Sequence, residues 1–200
     1  TYVRRMFSDA SCGASHHFTY DLGAPLPEIP TSIHLYTGKQ GQPQIALLCP
    51  TTLYRLGGDL APTIRMADKL RDLCEFDVLD ELLIRDGALD VKKYKVLLID
   101  QAEIVDQPIL DKLDAFVQAG GKIVQLGSAP IVNVEGAAWP TAGRIDHVAA
   151  APSKGQWLKD LTPILSNYQG CDGKVDGLWT CVRGDQIMVF NTTGKDVGTR

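Results

Sequence analysis

The chain has 200 residues, a formal net charge of −4 and a pI near 5.5, with 44% hydrophobic and 22% charged residues. This is the composition of an ordinary globular protein with ample material for a core. The acidic balance and the scatter of Lys and Arg argue against nucleic-acid or anionic-membrane partners, and no apolar run approaches the ~20 residues of a membrane span.

Residues 1–44 read as an irregular segment or linker, punctuated by Pro25, Pro27, Pro30 and Pro43. Short strands are expected at 16–22 (HHFTYDL) and 32–36 (SIHLY), around an extended connector. At residue 44 the texture changes. QIALLC (44–49) is a continuous apolar run, as expected for a strand buried on both faces. PTTLYRLGGD (50–59) reads as a loop, with Asp59 as the N-cap of a helix that places Leu60, Ile64, Ala67, Leu70, Leu73 and Cys74 near one face. FDVLDE (76–81) is the next expected strand, and LLIRDGALDVKKY a connection turning at Asp86-Gly87. YKVLLID (94–100) is a second apolar strand. The helix over 106–121 is the clearest: Leu110, Leu113, Phe116 and Val117 share a face, Asp106 caps, Pro108 sits in the first turn, and Gly120-Gly121 stop it. KIVQL (122–126) is the third apolar strand.

This alternation predicts an α/β fold, with a doubly wound, mostly parallel sheet of flavodoxin-like order, in a domain spanning 45–170. Residues 131–152 have no firm period. SKGQWLKDLTPIL predicts a helix disturbed at Pro163. VDGLWTCV and QIMVFN, flanking Arg183-Gly184-Asp185, predict a β-hairpin within 171–200 that starts a further β-domain. The chain opens on Thr1 rather than Met and stops just past that hairpin, which predicts a segment of a longer polypeptide.

The five cysteines, Cys12, Cys49, Cys74, Cys171 and Cys181, form neither a disulfide framework nor a CxxC zinc pair. Cys49 and Cys74 read as inert core thiols; a Cys171–Cys181 bridge stays open. His16-His17 point apart if they lie on a strand and have no acidic or thiol cluster at ligand spacing, so no metal and no cofactor is expected.

Leu126-Gly127-Ser128-Ala129-Pro130 follows the third strand as a sharp turn of small residues, the place where many α/β enzymes carry a nucleophile. A hydrolase elbow wants Gly on both sides of the nucleophile; here the second is absent. His147, the downstream histidine, has no acid beside it to suggest a relay. Ser128 therefore reads as a turn residue, and no catalytic residue is assigned. The acidic groups Asp77 with Asp80-Glu81, and Asp111 with Asp114, read as solvated surface. Trp139, Trp157 and Trp179 read as core or interface residues, and Arg183-Gly184-Asp185 as an ordinary hairpin tip.

Residues 45–130, through IALLCPTTLYRLGGD and then FDVLDELLIRDGALDVKKYKVLLIDQAEIVDQPILDKLDAFVQAGGKIVQLGSAP, resemble the class I glutamine amidotransferase-like domain inside large glycoside hydrolases, in particular the β-galactosidase middle, or trimerisation, domain. Tyr94 to Ile99 and Phe116 to Val124 carry the likeness. The resemblance implies a Cys in the turn where Gly127-Ser128-Ala129 stands and a His-x-Glu pair beyond it if amidotransferase chemistry were present; this chain has neither. It thus implies a non-catalytic docking domain of a multidomain glycoside hydrolase. The partners it implies are a catalytic barrel and a β-domain of the same polypeptide, with a homo-oligomer and carbohydrate as further candidates. The compartment stays open, a secreted or periplasmic parent being one expectation.

The rim at the strand ends supplies the candidate ligand-binding residues Thr51, Thr52, Tyr54, Arg55, Asp100 and Ser128, with stacking and hydrogen-bonding groups suited to a sugar or another domain. Gly57-Gly58 is neither a dinucleotide fingerprint nor a P-loop. Two alternatives follow: an independent amidotransferase-like hydrolase with an unorthodox site around Thr51, Asp100 and Ser128, or a carbohydrate-binding module. A base within reach of Ser128 favours the enzyme; an exposed apolar patch favours docking.

Overall fold

In the computed structural model, the described residues are 9, 42–71, 73–100, 102–148, 156–168, 178–183, 186–191 and 193–195. The expected strands at 16–22 and 32–36, with His16-His17, lie outside them, as do Cys12, Cys171 and the Gly184-Asp185 tip. The chain divides into two units, Pro43–Gln169, and Thr1–Gln42 with Gly170–Arg200.

Among its described residues the first unit holds five strands: β1 (Ile45–Cys49), β2 (Asp77–Asp80), β3 (Val96–Asp100), β4 (Lys122–Leu126) and β5 (Asp146–Val148). They form one sheet of order β2-β1-β3-β4-β5, with every pairing parallel. This is the doubly wound, flavodoxin-like order expected from the sequence. The three apolar runs are its central strands, and β3 is buried along its whole length.

Five helices connect and cover the strands: α1 (Thr51–Arg55), α2 (Ala61–Arg71), α3 (Glu81–Arg85), α4 (Gln107–Gln118) and α5 (Gln156–Leu165). Strand residues alternate between two core layers. Ala46, Leu48, Leu97, Ile99 and Ile123 face Ile84 of α3, Leu110, Leu113 and Phe116 of α4, and Trp139. Ile45, Leu47, Val96, Leu98, Val124 and Leu126 face Met66 and Leu70 of α2 and Leu161 and Leu165 of α5. Each fully buried Leu or Ile contributes about 1.5–3 kcal/mol.

Four sequence expectations are corrected. The stretch after β1 is not a loop throughout, because Thr51–Arg55 is helical. The second strand stops at Asp80, whose carboxylate accepts from the Leu83 amide at 2.7 Å and opens α3 inside the expected connection. The buried stripe of α2 runs through Thr63, Met66 and Leu70, which leaves Ile64 58% exposed. Finally, β5 was not anticipated; two of its three residues are exposed, so it carries no apolar signal.

α4 is as expected. Asp106 accepts from the Gln107 amide, Pro108 lies in the first turn, and Gly120 adopts φ +94° to end the helix. A Cβ at Gly121 would stand 2.4 Å from the Phe116 ring, so this position needs the missing side chain. α5 passes through Pro163 without ending there.

At the amino edge, charges pair across strands. The Lys122 ammonium meets Asp146 at 2.6 Å, and Lys93 meets Asp77 at 3.0 Å while the Tyr94 hydroxyl donates to the same carboxylate at 2.6 Å. Asp77 is thus an ion-pair partner and not idle surface. In the second unit, β6 (Leu178–Arg183) and β7 (Gln186–Asn191) pair antiparallel, Trp179 opposite Phe190 and Arg183 opposite Gln186, the hairpin the sequence predicts. Among the described residues, no helix is long and apolar enough to cross a membrane.

Candidate functional site

In an open parallel sheet the ligand crevice lies outside the carboxyl ends of the strands, where the strand order reverses. Here that point is between β1 and β3. β1 stays paired with β2 to its last residue, Cys49 opposite Asp80. β3 stays paired with β4 to its end, Asp100 opposite Leu126. The β1–β3 ladder ends earlier, at Leu47 opposite Leu98. The central strands therefore part at their carboxyl ends.

Three turns surround this parting. After β1, α1 carries Thr51, Thr52 and Tyr54, all half-buried, and the exposed Arg55. Glu81, the first residue of α3, is only 4% exposed and clasps α1: its Oε1 accepts from the Thr52 amide at 2.9 Å, and its Oε2 accepts from the Thr52 hydroxyl. A buried carboxylate needs such donors. Glu81 is thus a structural clamp between two rim segments, not solvated surface. It also satisfies one of the orphan amides at the start of α1, whose own cap position, Pro50, has no side-chain acceptor to offer.

Tyr54 turns inward. Its hydroxyl oxygen is buried and makes no hydrogen bond of good geometry, although Thr63 and Cys49 are close enough to act on it. Burial chiefly raises its pKa. Its polar end is therefore not offered to a ligand at the rim. Burial also pushes the Cys49 thiol up, helped by the carboxylates of Asp80 and Glu81, against a lowering interaction with Tyr54. A thiol so held is a poor nucleophile.

Asp100 is 8% exposed at the end of β3. Burial, and secondarily the Glu103 carboxylate, push its carboxyl up to about 6. Ser128 lies on the far side, in the turn after β4. Gly127 takes φ +97°, its amide donates to the Val148 carbonyl at 2.8 Å, and buried Gln125 donates from Nε2 to the Ala129 carbonyl at 2.6 Å. The turn is therefore firmly built and leaves Ser128 exposed. His147 is near this turn, but its two ring nitrogens face the Gly127 and Ala142 carbonyls, each at 3.3 Å. The histidine braces the turn's backbone and is directed to carbonyls, not to the serine hydroxyl.

The six rim candidates thus separate. Thr51 is half-buried at the start of α1, Thr52 is bound to Glu81, Tyr54 points inward beside Cys49, Asp100 stands at the strand parting, and Arg55 and Ser128 face solvent. The sequence reading did not include Glu81, Glu103 or Gln125 in the rim.

The chain shares its fold with part of a glycoside hydrolase. With a TM-score of 0.56 and 8% identity, 82% of it superposes on 24% of the apo exo-carrageenase GH42 from Bacteroides ovatus. It therefore spans about a quarter of that enzyme's length. Looser likenesses, too low to bear on the fold, are to the β-galactosidase from Rahnella sp. R3 (TM-score 0.40, 16% identity, 56% of this chain and 17% of that one) and that from Bifidobacterium adolescentis (0.37, 11%, 78% and 94%). No protein-family model and no curated protein matches the chain. Among the described residues no group of three His, Cys, Asp or Glu is placed to hold a metal ion.

Proposed function

We propose that this chain is an amidotransferase-like α/β domain without catalysis of its own, serving a larger glycoside hydrolase by docking between its other domains and contributing to its oligomer contacts. The observation that carries this reading is the turn after β4. It leaves Ser128 exposed after β4, yet among the described residues no base is directed to it: both nitrogens of His147 face backbone carbonyls. The resemblance of residues 45–130 supports the amidotransferase-like part. The likeness to 24% of a GH42 exo-carrageenase supports the placement within a longer enzyme. Docking is supported by the apolar side chains exposed around the β2 end of the sheet: Leu56, Ile64, Val78, Leu82 and Leu83. The occupant we assign to them is a neighbouring domain of the same polypeptide.

The test compares this chain with the longer polypeptide on aryl glycosides and on glutamine. The expected result is glycoside cleavage by the longer protein and no turnover by this chain. Turnover by this chain alone, abolished by Ser128→Ala, would overturn the reading in favour of an independent hydrolase.

A further inference from the structure

Asp100 is only 8% exposed, and its carboxylate oxygens, which keep a narrow opening to water, meet no protein donor among the described residues. Among the described residues no hydrogen bond or ion pair reaches its oxygens. Native structures rarely leave such a group without a partner, because desolvation without donors costs several kcal/mol. Side chains alternate along β3, so Asp100 projects on the same sheet face as Leu98 and Val96, towards the layer of α2 and α5. Cys49, two residues beyond Leu47, projects on that face from β1. The β1–β3 ladder has already ended at Leu47 and Leu98, so the two side chains flank the strand parting.

The charges that act directly on these two side chains are carboxylates. Glu103 acts on Asp100, and Asp80 and Glu81 act on Cys49 across the parting. The elements packed on this face add Arg65, Asp68, Lys69 and Arg71 from α2 and Lys159 and Asp160 from α5, all of them exposed except the half-buried Arg71, which lies over the Phe76 ring. A group that settles at the parting must therefore bring hydrogen-bond donors and positive charge. It must also be small, since so little of Asp100 is open. An anion would be repelled. A neutral polyol would supply donors but leave the negative field uncompensated.

We propose that the parting of β1 and β3 is a binding site for the ammonium head of a small organic amine, with Asp100 as its acceptor and Glu103 as a second, longer-range attraction. Binding favours the ionised carboxylate, so affinity rises as pH increases through about 6, where Asp100 titrates. Proton release from Asp100 accompanies binding below that pH.

The probe is ethanolamine, compared with the neutral diol ethylene glycol, on the whole chain. Carboxyl-carbon NMR follows the Asp100 titration while amide shifts follow residues around Cys49 and Asp100. Ethanolamine is expected to perturb these amides and to lower the Asp100 midpoint, and ethylene glycol to do neither. Loss of a charge-assisted hydrogen bond predicts binding about tenfold weaker or worse in Asp100→Asn, and a smaller, roughly threefold loss in Glu103→Gln, which lies on exposed surface. An Asp100 midpoint unmoved by high millimolar ethanolamine, an equal response to the diol, or undiminished binding in a folded Asp100→Asn protein each overturns the proposal. Should Asp100→Asn fail to fold, the titration of the unsubstituted chain decides alone.

Discussion

Burial without donors makes Asp100 costly to the fold whenever it is ionised. A carboxyl with an ordinary value of 3.8 that titrates near 6 in the folded chain binds its proton more tightly folded than unfolded. Stability therefore falls as pH rises from about 4 to about 6 and stays reduced above that. Asp100→Asn should accordingly stabilise the protein by about 2 kcal/mol near pH 7.5 and change little near pH 4, as urea unfolding at the two pH values would measure. A loss of stability at the higher pH would mean that the carboxylate has a compensating partner. Thr52→Val tests the opposite case, a buried carboxylate that is satisfied. Removing the hydroxyl leaves Glu81 with only the Thr52 amide, and the expected cost is about 1–2 kcal/mol by chemical denaturation. Sequence alone flagged both threonines and Asp100 as rim residues, because they follow apolar strands. It did not reveal which of them is already engaged, since Glu81 reaches Thr52 across 29 positions of chain.

The legible elements are those whose physics is local. β1, β3 and β4 declare themselves as continuous apolar runs, and α4 through its own cap, its apolar stripe and its two closing glycines. α1 is illegible for the converse reason: five residues long, with no buried member, it is stabilised by a carboxylate on another helix. α3 hides behind the apolar pair Leu82-Leu83, which faces solvent. The close of α4 yields a sharp prediction. Gly121 donates its amide to the Phe116 carbonyl at 2.9 Å, and a Cβ added to it would run into the ring of the same residue. Gly121→Ala forces that buried ring to move and should lower stability by about 1–3 kcal/mol in thermal or urea unfolding. An unchanged midpoint would show that the Phe116 layer yields freely.

At the scale of the molecule, both described core layers lie within residues 45–168. A fragment covering residues 43–169 should therefore fold alone and unfold in a single cooperative transition, seen alike by circular dichroism and tryptophan fluorescence. Non-coincident transitions would mean that the core needs the remaining chain. The order of the sheet also bears on how that core is assembled during synthesis. β1 leaves the ribosome first and ends up inside the sheet, flanked by β2 and β3. β4 and β5 then add outward in the order in which they are made. No strand has to be threaded between two that are already joined, so each newly made segment meets a template edge that is waiting for it. The last to arrive, β5, is only three residues long and leaves little backbone for a stray chain to copy.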